Sequence, residues 1–217
     1  MKFKVILRKL VYALEDASEA GKINEVEKDY LFNLSEEMKE KMRSLRFEEK
    51  IIDLYDHSNG IIIKWRQNPE EGVMGQLNLL RIETTLQDWS NKLYYESDLE
   101  ENDLLEYYKP FDEVTPEVTS GFLITPEFTS DTIYTHYVSR YELHDLEIDF
   151  AGYLEKAIAA KVFNLWTRVL LQIQEGTEGH ETLAFKEHMP KIFPDFSWED
   201  FVEKYQNLRL SNQAKED

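Results

Sequence analysis

Apolar residues along this chain change period twice, from helical to strand-like and back, and the changes predict most of its elements. From residue 3 to residue 20, Phe3, Ile6, Leu7, Leu10, Val11 and Leu14 fall on one helical face, with Gly21 as the expected stop. A second helix is expected from Ser35, whose hydroxyl can cap the first turn; Asn33 with Glu36 is an alternative capping box. Met38, Met42, Leu45, Ile52 and Tyr55 keep helical spacing, with a break expected near Phe47. Then the character changes. Asn59-Gly60 is followed by Ile61-Ile62-Ile63 and Trp65, β-branched and aromatic residues that suit a pleated surface. Asn-Gly is also the commonest hairpin turn, but residues 50–58 show no alternation, so the pair reads as a helix stop before a strand over 61–65.

Residues 67–72 form a turn cluster, and 77–80 predict a second, antiparallel strand. A short helix is expected over 82–93, carrying Leu86 and Trp89. Residues 97–106 hold five acids and no base, which reads as a surface loop or a frayed helix. Pro110 biases Lys109 towards extended geometry. Strands follow at 121–125 and 132–138, and a fifth is expected at 141–146. Asp149 is a suitable N-cap for one long core helix running to Gly176. At about 1.5–3 kcal/mol for each large side chain fully buried, that helix is a main contributor to the core. Beyond the Gly176–Gly179 turn come a weaker helix near 181–193 and a better one from Ser197, with residues 211–217 expected to be disordered. The expected architecture is α+β, a mainly antiparallel sheet of about five or six strands packed against helices. Residues 1–176 are expected to form the domain and 177–217 a helical C-terminal extension.

Composition narrows the chemistry. The chain has 217 residues, 43 acids against 25 bases, and a net charge of -18. Such a field repels phosphate backbones and anionic lipid and favours basic partners, although solubility alone accounts for it equally well. With no cysteine, disulfides, thiolate metal sites and cysteine nucleophiles are excluded. The five histidines (His57, His136, His144, His180 and His188) do not make the His-Glu-x-x-His spacing of a zinc helix. Glu142 and Glu147 are as well explained by solvation as by function. There is no Gly-x-Ser-x-Gly elbow, phosphate loop or dinucleotide fingerprint, so no cofactor, metal or catalytic residue is expected. The three-residue apolar run before Arg8 is too short for a signal-peptide core, and nothing approaches the ~18 apolar residues of a membrane span; a cytoplasmic location is expected. What remains is surface recognition. Asp98, Glu100, Glu101, Asp103 and Glu106 are flanked by Tyr94-Tyr95 and by Tyr107 and Tyr108, either an interface or tyrosines at the edge of a core.

The order of motifs resembles the SUKH superfamily, which includes fungal cell-wall-assembly regulators and bacterial immunity proteins. The likeness lies in Leu54-Tyr55 before Asn59-Gly60, the strand with Trp65, Gly75-x-Leu77-x-Leu79-Leu80, Trp89, and Pro110-Phe111-Asp112. It continues through Gly121-Phe122-Leu123-Ile124, Ile133-Tyr134-Thr135-His136-Tyr137, and Leu146 with Phe150, Tyr153 and Leu154, spanning residues 34–171. Residues 113–120 depart from the Gly-Asp-rich turn the family often carries there. The resemblance implies a non-catalytic α+β domain that binds another protein, such as a basic nuclease-type toxin domain, with a regulatory scaffold as the alternative. The acidic stretch with Tyr107 and Tyr108 is the expected contact face.

Overall fold

A computed structural model describes residues 3–31, 34–67, 72–137 and 141–213. Among them the elements run α1 (Phe3–Glu19), β1 (Glu25–Tyr30), α2 (Glu36–Ser44), α3 (Glu49–His57), β2 (Ile61–Arg66), β3 (Met74–Leu79) and α4 (Ile82–Thr85). Two 3-10 turns, Glu96–Glu100 and Asp103–Tyr107, lead into β4 (Tyr108–Thr115), β5 (Val118–Leu123), β6 (Tyr134–Tyr137) and β7 (Leu143–Asp145). Helices α5 (Phe150–Ala159), α6 (Trp166–Glu175), α7 (His180–Ile192), α8 (Trp198–Leu208) and α9 (Leu210–Gln213) complete the chain. The strands lie in sequence order, β1 to β7, in one antiparallel meander, so the fold is α+β. Parts of the expected turn at 67–72, of the strand ending at Val138, of the turn at Ser139-Arg140 and of the C-terminal tail lie outside the described residues.

The chain parts into two compact units, each discontinuous in sequence: Met1–Lys28, Ile63–Leu77 and Leu146–Asp217 form the first, Asp29–Ile62 and Asn78–Asp145 the second. The C-terminal helices lie within the first unit. Phe185 of α7 shows why. It is fully buried and meets Phe163 edge-on at 5.2 Å, Phe196 at 5.3 Å and Phe201 at 5.0 Å. Gln172 of α6 caps α7, its Oε1 accepting from the Gly179 and Thr182 amides and from the Thr182 hydroxyl. Helix α8 is capped by Ser197, as expected, and the Tyr205 hydroxyl near its end donates to the Leu146 carbonyl at 2.9 Å.

The helix expected to run unbroken from Asp149 to Gly176 is two helices. Between them Lys161, Val162 and Leu165 all adopt positive φ, near 50°. The interruption is imposed by β2 and β3. The Trp65 indole N–H donates to the Lys161 carbonyl at 2.6 Å, the Gln76 amide donates to the Val162 carbonyl at 2.7 Å, and the Asn164 amide donates to the Met74 carbonyl at 2.8 Å. A buried indole N–H usually takes such a partner, and the opened helix supplies one here. Gly75 makes the approach possible: a Cβ at that position would sit 2.2 Å from the indole nitrogen and 2.5 Å from the Val162 carbonyl oxygen.

Lys156 of α5 is fully buried, which is rare for lysine. Its ammonium donates to the Phe201 carbonyl at 2.6 Å and lies 3.5 Å from the Phe201 ring centroid.

In the second unit, Asn59 is the organising residue. Its Oδ1 accepts from the Ile82 amide at 2.9 Å, capping α4, while its Nδ2 donates to both oxygens of Glu83. The expected switch from helix to strand is present, but α3 already ends at His57 with extended Ser58 as its cap, and Gly60, at φ 118°, turns the chain into β2. The break near Phe47 is also present: Arg46 has φ 63°, and Phe47 turns in to meet Phe122 edge-on at 5.1 Å. The short helix after β3 reaches only Thr85. Two strands were not expected. β1 is a charged edge strand, its ends held by the Asn24 amide on Arg66 and the Leu31 amide on Gly60. β4 runs through Pro110 and pairs with β5 across a register shift between Pro110 and Asp112.

Gly75→Ala should destabilise the protein by about 3 kcal/mol or more, because backbone and a buried indole cannot both yield; urea denaturation followed by tryptophan fluorescence measures it. Burial pushes the Lys156 pKa from 10.5 down to about 7, with Glu155 opposing that shift and Lys204 reinforcing it. The unfolded chain keeps its proton up to 10.5, so stability should rise with pH between about 7 and 10.5, by about 1.4 kcal/mol per unit at most. Lys156→Met should flatten that slope in denaturation curves taken across the window, and should leave the protein at least as stable at pH 7.

Candidate functional site

The acidic stretch forms two successive 3-10 turns, each closed by a side chain. Asp98 accepts from the Tyr95 amide at 2.8 Å and from the Ser97 hydroxyl at 3.2 Å. Asn102 accepts from the Leu104 amide at 3.1 Å and donates its Nδ2 to the Tyr141 carbonyl at 2.9 Å. Beneath the turns lies an apolar cluster of Trp89, Leu93, Tyr94, Leu105, Tyr108 and Leu123. The segment is therefore a surface stretch, as expected, but one ordered into 3-10 turns by its own caps and anchors.

This construction divides the seven expected contact residues. Glu100, Glu101, Asp103 and Glu106 are exposed, and Tyr107 is half-buried. Asp98 and Tyr108 are withdrawn from the surface and must be corrected. Asp98 is only 8% exposed because its carboxylate closes a turn. Tyr108 is fully buried, its hydroxyl 3.0 Å from the Thr119 hydroxyl, and burial drives its pKa well above the ordinary tyrosine range. Each tyrosine pair splits between core and surface: Tyr94 is buried and Tyr95 is 61% exposed. Two apolar residues join the face that sequence reasoning left out, Leu104 at 43% and Tyr141 at 48% exposed. Tyr141 is brought there by the Asn102 bond, across 39 residues of sequence, and no local pattern could have announced it. The result is a ledge of exposed carboxylates, together with Glu96, studded with Tyr95, Leu104 and Tyr141.

Several of the other titratable candidates have structural partners. The His57 Nδ1 lies 2.7 Å from the Asp53 carbonyl oxygen, and His144 lies 3.5 Å from Glu142. Glu147 receives Arg209 at 2.8 Å and so ties down the end of α8. Among the described residues no three histidines or carboxylates are grouped as a metal would need. His136 is buried on β6 against the Tyr108 ring at 5.7 Å, and burial lowers its pKa to about 4, with nearby His144 adding to the shift and Asp98 opposing it.

No family model matches the chain, and no curated protein or solved structure matches it. Among the described residues no helix is long and apolar enough to cross a membrane.

The unfolded chain takes up a proton at His136 near pH 6.5, whereas the folded one resists until about 4. Stability should therefore fall on acidification through that window, by up to about 1.4 kcal/mol per unit. His136→Phe should remove that component, seen as a shallower loss of thermal stability between pH 6.5 and 4.

Proposed function

We propose that this chain is a non-catalytic, cytoplasmic protein-binding domain, an immunity protein that neutralises a toxin by covering it. The observation that carries the reading is the capped acidic ledge, where Glu100, Glu101, Asp103 and Glu106 stand exposed around Tyr95, Leu104 and Tyr141. Aromatic and apolar anchors supply affinity at protein interfaces, and a surrounding field of one sign speeds encounter with a partner of the other. Because both turns are closed before any partner arrives, little ordering entropy opposes binding. The partner that fits is a basic protein surface, such as the substrate cleft of a nuclease-type toxin domain. An acidic ledge seated there takes the place of the phosphate backbone. The order of sequence motifs shared with the SUKH superfamily supports the same reading.

The test is co-purification from the native cytoplasm, identification of the bound protein, and kinetics of the reconstituted pair. The quadruple variant Glu100→Lys, Glu101→Lys, Asp103→Lys and Glu106→Lys should slow association by about tenfold or more at low salt, abolish its salt dependence, and fail to protect cells expressing the partner. An unchanged rate and salt slope would remove the ledge from the interface. A partner without toxic activity would favour a regulatory scaffold instead.

A further inference from the structure

The first unit contains a cleft of about 330 Å³ among α1, the α5–α6 junction and the α7–α8 turn, and the acidic ledge has no part in it. Alanines make the room: Ala13 and Ala17 on α1, Ala20 just after it and Ala159 at the end of α5. Phe193 and Phe201 supply aromatic wall. Around this apolar body stand Lys22, Lys161 and Lys204, with Asp16, Asp195 and Asp200 on the same lining. Buried Lys156 lies directly behind the Phe201 ring. Three lysines against three aspartates make the lining locally neutral, in a chain of net charge -18.

We propose that this cleft binds a small organic anion, a carboxylate or phosphate head carried on an apolar body. Lys161 is the residue that argues for it. Its backbone is held left-handed, at φ 50°, by the Trp65 bond to its carbonyl, so its side chain is delivered to the cleft wall beside Phe193, with Nζ 5.8 Å from that ring. Left-handed geometry at a residue with a Cβ costs roughly 1–2 kcal/mol, and such strain is found where a side chain must be aimed. Neither Lys22, Lys161 nor Lys204 is in an ion pair among the described residues. Lys161 is partly desolvated, which lowers its pKa, with only the longer-range field of Asp195 opposing. A cation stripped of water and given no bonded carboxylate is the group an incoming anion stabilises most. The volume sits at the low end for ligand clefts, which suits one small molecule and excludes a folded partner.

Titrating the isotopically labelled full chain with phenylacetate, phenyl phosphate and the neutral phenylacetamide tests the proposal, read from backbone amide shifts. At least one of the two anions should bind saturably, with Kd on the order of 1 mM or tighter, and move the Ala17, Ala20, Lys161 and Asp195 amides. The preferred anion identifies the head group. Phenylacetamide should bind about tenfold more weakly, as should the better anion to Lys161→Gln. Ala20→Trp, at an exposed position on the cleft, should block binding by occupancy and keeps the test decisive should Lys161→Gln unfold. The proposal is overturned if neither anion shifts those amides, if the shifts lie elsewhere, or if the neutral amide binds as well as the acids.

Discussion

The first unit is arranged around the close approach of backbone and indole at Gly75. An indole from β2 has to find an acceptor inside the protein, because a buried N–H left without one costs about 1–3 kcal/mol. The acceptor is the Lys161 carbonyl, and reaching it requires the β3 backbone to lie where no side chain could fit. From that one contact the rest follows. The run of helical sequence after Asp149 must open at 160–165, three residues take left-handed geometry, and the freed carbonyl and amide of 162 and 164 are satisfied by Gln76 and Met74. Phe163, turned inwards by the break, lies tilted 6.2 Å from the Trp65 ring and meets Phe185, which draws α7 and α8 into the same core. The strain is distributed over three positions and is offset by several aromatic burials, each worth more than one strained dihedral pair.

The second unit solves a different problem, that of placing polar groups inside. Asn59 is fully buried, yet its amide is used at both ends, on the Ile82 amide and the Glu83 carboxylate. Asp112, also fully buried, accepts from the Asn78 amide at 2.9 Å, and Asp98 closes a turn over the Trp89 cluster. Each of these side chains substitutes for a backbone partner that the local geometry does not provide. The consequence for recognition is direct. Acids that satisfy backbone amides are held inside, and those with no such duty, from Glu100 to Glu106, are left facing solvent on a framework that is already rigid.

How far the sequence announces this fold depends on where each signal lives. Local signals are dependable: the Gly21 stop and the Ser35 and Ser197 caps rest on interactions within a few residues, and the break at Phe47 and the Asn59-Gly60 switch are announced locally although distant partners complete them. Signals carried by distant partners are not. β1 reads Glu25-Val26-Glu27-Lys28-Asp29-Tyr30, with no alternation; its strand geometry comes from Gly60 and Arg66. β4 contains Pro110, which argues against a central strand, and the register shift beside it accommodates the missing donor. Helical periodicity from Phe150 to Ile173 is genuine, but periodicity counts apolar residues and is blind to an indole that needs a carbonyl. The acidic ledge divides in the same way. Charge between 98 and 106 is visible in the composition, whereas which acid caps and which is presented depends on Trp89, Tyr108 and Tyr141.

A strongly negative chain with a charge-balanced cleft looks contradictory until distances are considered. At physiological ionic strength the field of a surface charge fades over about 8 Å, so a cleft responds to the charges on its own walls far more than to the net charge of the molecule. Long-range steering acts the other way: it sums exposed charges, and an excess of acids dominates what a large basic partner meets on approach. Local and summed electrostatics can therefore differ in one protein and select ligands of different size. A macromolecule reads the sum and is offered the exposed acids beside Tyr95, Leu104 and Tyr141. A small anion, once within a few ångströms, reads Lys161 and its neighbours. Balancing three lysines with three aspartates in a hollow lined by alanine and phenylalanine leaves that hollow outside the negative field of the remaining surface.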